Sequence, residues 1–191
     1  MFSILFLLLK AYSYCIVQVK NTHKVFNLFG KKVVDTAKSI LKAKGKNASG
    51  NLADSLSYDL HVYPSGALEL SFKGAGYAKF VDKGVKGSKS SAKAPTSPYK
   101  FTGNKKTVNI GAIDKWVVRK GLKAARNEKG KFIKRKSLVG AIARSIYLYG
   151  IEPTNFFTGA VDKNIKTLPP QIARAYANDA AKFIRTVTKD I

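Results

Sequence analysis

The side chains with the clearest chemical potential in this sequence are lysines and arginines, which are concentrated between Lys83 and Lys136. This stretch contains 17 basic residues and two acids, Asp114 and Glu128, so it holds +15 of the chain's net charge of +24. Such a field attracts polyanions and repels copies of itself. It therefore predicts contact with a nucleic acid, an acidic protein or an anionic surface, although a solvated loop that only raises solubility is an alternative interpretation. The side chains that we predict to face DNA or another polyanion are Lys83, Lys86, Lys89, Lys93, Lys105, Lys106, Arg126, Lys129, Lys131, Lys134, Arg135 and Lys136.

No pattern in the sequence predicts catalysis or a cofactor. The eleven acids are scattered without an obvious pair for acid–base or two-metal chemistry. The two histidines, His23 and His61, are not at ligand spacing, and a lone Cys15 cannot form an intramolecular disulfide or a zinc site. Nucleophile-elbow, phosphate-loop and His-Glu-x-x-His motifs are absent from the sequence. We therefore expect a protein that is not an enzyme and holds no cofactor or metal.

The N-terminal residues 1–20 form an apolar extension. Phe2–Leu9 is apolar apart from Ser3, but no basic residue precedes it, as one would in a signal peptide. The run before Lys10 is also far shorter than the roughly 20 residues of a membrane-spanning helix. We expect a segment that packs on a partner subunit, or one that lies upstream of the true start of translation. A secreted or membrane-active protein is a weaker alternative.

The first helix is predicted by apolar residues at helical spacing after Asn21 or Thr22, either of which can serve as its N-cap. Its end is predicted near Gly45, and its apolar positions are Phe26, Phe29, Val33, Ala37, Ile40 and Leu41.

A change of period then predicts an antiparallel hairpin at about 56–73. Apolar residues alternate with polar ones from Leu56 to Val62 and from Leu68 to Phe72, on either side of a Pro64-Ser65-Gly66 turn. His61 falls on the opposite side from Leu60, which predicts a solvated strand residue.

The rest of the chain predicts helices separated by basic loops. We expect a short helix closed by Gly84, a flexible loop from Lys86 to Thr107, a strand at Val108 and Ile110, and a helix around Ile113–Leu122. A second basic loop, Asn127–Lys136, precedes a helix capped by Ser137 and ended by Gly150. A short apolar segment follows, and the last helix opens at Pro169-Pro170 with a predicted apolar stripe of Ile172, Tyr176, Ala180, Phe183 and Val187.

This order of elements predicts an α+β fold, with a small antiparallel sheet packed against several amphipathic helices and long basic loops. A chain of 191 residues fits one domain, which we expect to span 21–191.

Three segments resemble the neck and tail-completion proteins of long-tailed bacteriophages. The first is Ser49-Gly50-Asn51-Leu52-x-x-Ser55-Leu56, and the second is Gly76-Tyr77-Ala78-x-Phe80-Val81-Asp82-x-Gly84, on the far side of the hairpin. The third is the run Gly140–Phe157 with the terminal helix after Leu168-Pro169. The resemblance covers roughly Val25 to Val187.

The resemblance implies a structural virion protein that forms a ring between the connector and the tail tube. Its partners would be copies of itself and other neck or tail proteins, with packaged DNA contacted without sequence specificity. It implies assembly in the host cytoplasm, and no membrane is expected. Tyr77, Phe80, Val81 and Gly84 are predicted to anchor the following loop at a subunit interface, although they could equally be ordinary core residues. A sequence-independent nucleic-acid-binding protein is the alternative function.

Overall fold

The fold is α+β, as predicted. The computed structural model describes residues 19–46, 49–103, 108–122, 130 and 132–189. In these residues it has seven helices and two small antiparallel sheets of two strands each. The elements in chain order are α1 (Lys20–Ala43), α2 (Asn51–Asp54), β1 (Ser57–Val62), β2 (Leu68–Lys73), α3 (Ala78–Lys83), β3 (Val85–Lys86), α4 (Ile110–Arg119), α5 (Arg135–Tyr149), β4 (Gly150–Ile151), α6 (Phe156–Ile165) and α7 (Leu168–Lys189).

The described chain divides into two compact units. The first unit contains the residues up to Ala37, the segment Leu56–Lys73 and the residues from Gly159 onward. The second unit contains Lys38–Ser55 and Gly74–Thr158. The predicted extension lies almost wholly in residues 1–18, outside the described residues, and the prediction of one domain over 21–191 stays a prediction.

In the first unit the predicted hairpin is confirmed and packs closely on α1. Tyr58 pairs with Phe72, and Leu60 pairs with Leu70, across the antiparallel strands. The apolar side chains of β1 are half-buried while the alternating ones are exposed, and His61 is among the exposed residues. Gly30 on α1 faces the Tyr58 ring so closely that an added Cβ would lie 2.8 Å from its Cγ. Glycine at this position therefore lets the helix approach the sheet.

The start of α1 is fixed by a carboxylate from the opposite end of the chain. Asp179 on α7 is only 3% exposed and accepts hydrogen bonds from the backbone N–H groups of Asn21 (3.0 Å) and Thr22 (2.9 Å). It also accepts from the Asn21 amide (2.7 Å) and the Thr22 hydroxyl (2.9 Å). Burial alone would raise the pKa of Asp179, but these four bonds outweigh it and lower the pKa below its usual value.

In the second unit α4 and α5 enclose a small apolar core. Ile113 and Val117 of α4 pack against Val139 and Ala143 of α5, and Val108 joins them from the segment before α4. The spacing of four residues on each helix places these side chains on one face.

Two local predictions in this unit are wrong. Val108 and Ile110 do not form a strand, because Val108 turns into the core and Ile110 begins α4, whose first turn is capped by the Asn109 side chain. Helix α5 begins at Arg135, two residues before the predicted cap Ser137, and Lys134 occupies the N-cap position without a side-chain cap.

The predicted apolar stripe of α7 is also wrong. The buried positions of this helix are Leu168, Ala175 and Asp179, whereas Tyr176 and Ala180 are exposed. A buried aspartate on the inner face displaces the apolar pattern, because its hydrogen bonds to α1 replace apolar packing there.

Candidate loop-anchoring site and basic surface

Two of the three segments that resemble phage proteins, Gly76–Gly84 and the end of Gly140–Phe157, meet in the second unit. We call their meeting point the α3–α6 junction, formed by Val81, Asp82 and Gly84 with Ile151 and Pro153–Thr158. It leads directly into the loop Val85–Gly103, which we call the basic loop.

Asp82 caps the start of α6 from 75 residues upstream. Its carboxylate is 5% exposed and accepts hydrogen bonds from the backbone N–H groups of Phe157 (2.8 Å) and Thr158 (3.2 Å). The Thr158 hydroxyl donates to its other oxygen at 2.5 Å. The first N–H groups of a helix have no partner within the helix, so a carboxylate there satisfies them and complements the helix dipole. The usual cap is local, but here a distant segment supplies it.

The backbone beside Asp82 extends the junction. The carbonyl oxygen of Val81 accepts from the N–H (3.0 Å) and the hydroxyl (2.7 Å) of Thr154, and the carbonyl of Asp82 accepts from Asn155 N–H (2.9 Å). Thr154 is almost fully buried. Val81, which was predicted as an anchor, therefore contributes through its backbone, while its side chain is half-buried.

Gly84 is required by both its conformation and its surroundings. Its φ of 70° and ψ of −178° lie in a region that is almost restricted to glycine. An added Cβ would also lie 2.6 Å from the carbonyl oxygen of Ile151 and 2.7 Å from the nitrogen of Pro153. This close approach allows Val85 to pair with Ile151 between β3 and β4.

The predicted aromatic anchors are partly exposed. The Phe80 ring is 37% exposed and meets the Tyr99 ring edge-on, with centroids 4.7 Å apart. The Lys79 ammonium lies 5.2 Å from the Phe80 centroid and 6.0 Å from that of Tyr99. Tyr77 is 48% exposed. Phe80 therefore contacts the basic loop through Tyr99, a residue that was not among the predicted site residues.

The basic loop, which covers most of the segment Lys86–Thr107 that the sequence predicts to be flexible, is extensively hydrogen-bonded. Lys86 N–H donates to Tyr99 O (2.8 Å), and Phe101 N–H donates back to Lys86 O (2.9 Å). The buried Ser97 hydroxyl donates to Gly84 O at 2.7 Å. The N–H groups of Ser88, Lys89 and Ser90 donate to the last carbonyls of α5, at Tyr147 and Leu148. Gly, Ser and Pro residues here make specific turns.

The lysines of this loop point outward. Lys89, Lys93 and Lys100 are exposed and Lys86 is half-buried, and Lys83 at the end of α3 is exposed as well. Among the described residues of the second unit, ion pairs join Lys83 to Asp82 (3.9 Å) and Arg135 to Asp114 (3.0 Å). Neither pair involves the lysines of the basic loop beyond Gly84.

A second basic cluster lies at the start of α5. Lys134, Arg135 and Lys136 are exposed at this helix start, and no acid occupies its first turn. Cations are unfavourable at a helix N-terminus, so this cluster adds to the local positive potential. The other predicted polyanion-facing residues lie outside the described residues: Lys105, Lys106, Arg126, Lys129 and Lys131.

The described residues include no group of three His, Cys, Asp or Glu side chains that could hold a metal ion. Within the same part of the chain, no helix is long and apolar enough to cross a membrane. The arrangement can bind anions non-covalently, and the expectation of a non-enzymatic protein stays a prediction.

Comparisons with known proteins give no match to a family model, to a curated protein or to a solved structure. The resemblance to phage neck proteins therefore stays a prediction from the motifs.

Proposed function

We propose that this chain is a structural virion protein of a tailed bacteriophage, a ring-forming neck or tail-completion protein that joins the connector to the tail. The observation that carries the proposal is the α3–α6 junction. Two motif segments that resemble this family, about 70 residues apart in sequence, are hydrogen-bonded to each other through Asp82, Val81 and Thr154. Each motif is weak alone, but a shared structural purpose explains why both occur in one chain.

The junction gives the basic loop a defined place. Because hydrogen bonds to Gly84, Ser97 and the end of α5 already hold this loop, its backbone would lose less conformational entropy on contact with a partner. In a neck ring such a loop would face packaged DNA or an acidic neighbouring protein. On DNA, its lysines would contact the backbone phosphates without reading the bases.

The proposal is tested in the phage that encodes the chain. An amber mutation in its gene should yield filled heads and separate tails by electron microscopy, and the wild-type gene supplied in trans should restore joined particles. In trans, Asp82→Ala should restore fewer joined particles than Glu152→Ala, a matched change of an exposed acid near the junction. Normal joined particles without the chain would overturn the proposal.

A sequence-independent nucleic-acid-binding protein is the second candidate, and the outward-facing lysines favour it. Binding of the free chain to duplex DNA against salt separates the two functions. Submicromolar binding would favour this candidate. In that case Lys89, Lys93 and Lys100 changed together to alanine should flatten the log–log salt slope by about 2 to 3. Lys31, Lys163 and Lys166, which are exposed in the first unit, provide the matched triple control.

A further inference from the structure

A second feature, independent of the basic loop, is a groove in the first unit between α1 and the start of α7. Its volume is about 410 Å³, and every residue that lines it belongs to this unit. On α1 its lining positions recur along one face from Asn21 to Lys32, a length of about 16 Å at the rise of an α-helix. The groove is therefore as long as about three turns of a helix laid into it.

The floor of the groove is apolar and partly uncovered. Phe29 is buried at its base, Val25 lies beside it, and Leu28 is 59% exposed on the same face. An exposed leucine alone needs no explanation, but one that lies in a concave surface over a buried phenylalanine offers an anchor point for an apolar side chain.

The rim of the groove is basic and amide-rich. Lys24 and Lys32 on α1 and Arg174 on α7 line it, together with side-chain amides such as Gln171, and no acid is among the lining residues. The nearest acid along α7, Asp179, is buried and bound to Asn21 and Thr22. The groove therefore combines an apolar floor with a basic lining.

We propose that this groove binds an acidic amphipathic helix of a partner protein. Leucine-type side chains of that helix would cover Leu28 and Phe29, and its carboxylates would meet Lys24, Lys32 and Arg174. Lys24 and Lys32 are eight residues apart on α1, so acids separated by about two turns in the partner match them.

Charge complementarity selects this occupant. The chain's own apolar segment Phe2–Leu9 contains no acid, and a second copy of the chain carries the same net charge of +24. The groove would accept such a helix whether or not the chain belongs to a virion.

The test uses two labelled peptides of equal length and charge with the full-length chain. One peptide has Leu and Glu at helical spacing, and the other has Ser in place of Leu. Fluorescence anisotropy should show the Leu/Glu peptide binding at least about tenfold more tightly than the Ser/Glu peptide. Equal binding of the two peptides, or binding of neither, would overturn the proposal.

Matched variants locate the binding site. Leu28→Ser and Arg174→Glu should each weaken binding of the Leu/Glu peptide by about tenfold. The controls Ile184→Ser and Arg185→Glu change exposed residues of α7 outside the groove lining and should change it by less than about twofold. Ile184 is 60% exposed, so it matches Leu28 in both burial and type.

Equal losses for groove and control variants would contradict the proposal. A duplex DNA probe that loses more affinity with Arg174→Glu than with Arg185→Glu would also contradict it, since the groove would then hold nucleic acid.

Discussion

Two buried aspartates, one in each unit, accept hydrogen bonds from the first N–H groups of a helix, but the surroundings of the two caps differ. Asp179 caps α1 in the first unit, and Asp82 caps α6 in the second, each from more than 70 residues away in sequence. Asp179 receives four hydrogen bonds, all from Asn21 and Thr22, and joins two long helices. Asp82 receives three bonds and stands immediately before the basic loop. The first cap therefore joins two helices within one unit, whereas the second stands where a helix leads into an exposed loop.

The largest expected effect on stability concerns Gly84, the residue that leads from α3 and Asp82 into the basic loop. Gly84→Ala should destabilise the protein by about 4 kcal/mol, because alanine is strained at this φ and ψ and its Cβ would collide with Ile151 O. Denaturant unfolding measures this. Gly76→Ala is the control, since nothing lies within 4 Å of its added Cβ. Equal effects of the two changes would show that the approach of β3 to β4 is not tight.

Asp179→Ala should lower the free energy of unfolding by about 3 kcal/mol. Four donors would lose their acceptor in a buried place. Urea denaturation gives the value, and Asp162→Ala, an exposed acid of the same unit, should stay within about 0.5 kcal/mol of wild type. A loss below about 1 kcal/mol would mean that water replaces the carboxylate.

Asp82→Ala should cost less, about 2 kcal/mol. It removes three bonds, against the four that Asp179→Ala removes. The same urea experiment, with Glu152→Ala as the exposed control, checks the order of the two caps. A larger loss for Asp82 than for Asp179 would reverse the comparison.

The smallest effect concerns pH and Asp179. Its pKa is lower in the folded than in the unfolded chain, so its stabilising contribution is complete above the unfolded value, about 3.9. The contribution is lost as pH falls through the folded pKa. Unfolding free energies of wild type and Asp179→Asn should therefore converge as the pH is lowered below about 4. A difference that stays constant over this range would contradict the assignment.

Local pattern predicted the elements better than the contacts between them. The 3.6-residue apolar period predicted α1, and the two-residue period with its Pro-Ser-Gly turn predicted the hairpin. Both elements depend on residues that are close together in the sequence. The capping roles of Asp82 and Asp179 could not be predicted, since their partners lie far along the chain. The error on α7 has the same origin. Asp179 occupies the buried face of this helix, so the positions of its apolar residues predict the wrong face as buried.

The most direct test of the positioning role of Asp82 is hydrogen exchange at the basic loop, measured by mass spectrometry. Asp82→Ala should speed exchange of the hydrogen-bonded amides of Lys86, Ser88, Lys89 and Ser90 relative to wild type. Asp179→Ala should leave them unchanged, although it is expected to lower global stability more. Equal acceleration in both variants, or none with Asp82→Ala, would contradict the conclusion that the α3–α6 junction holds the loop.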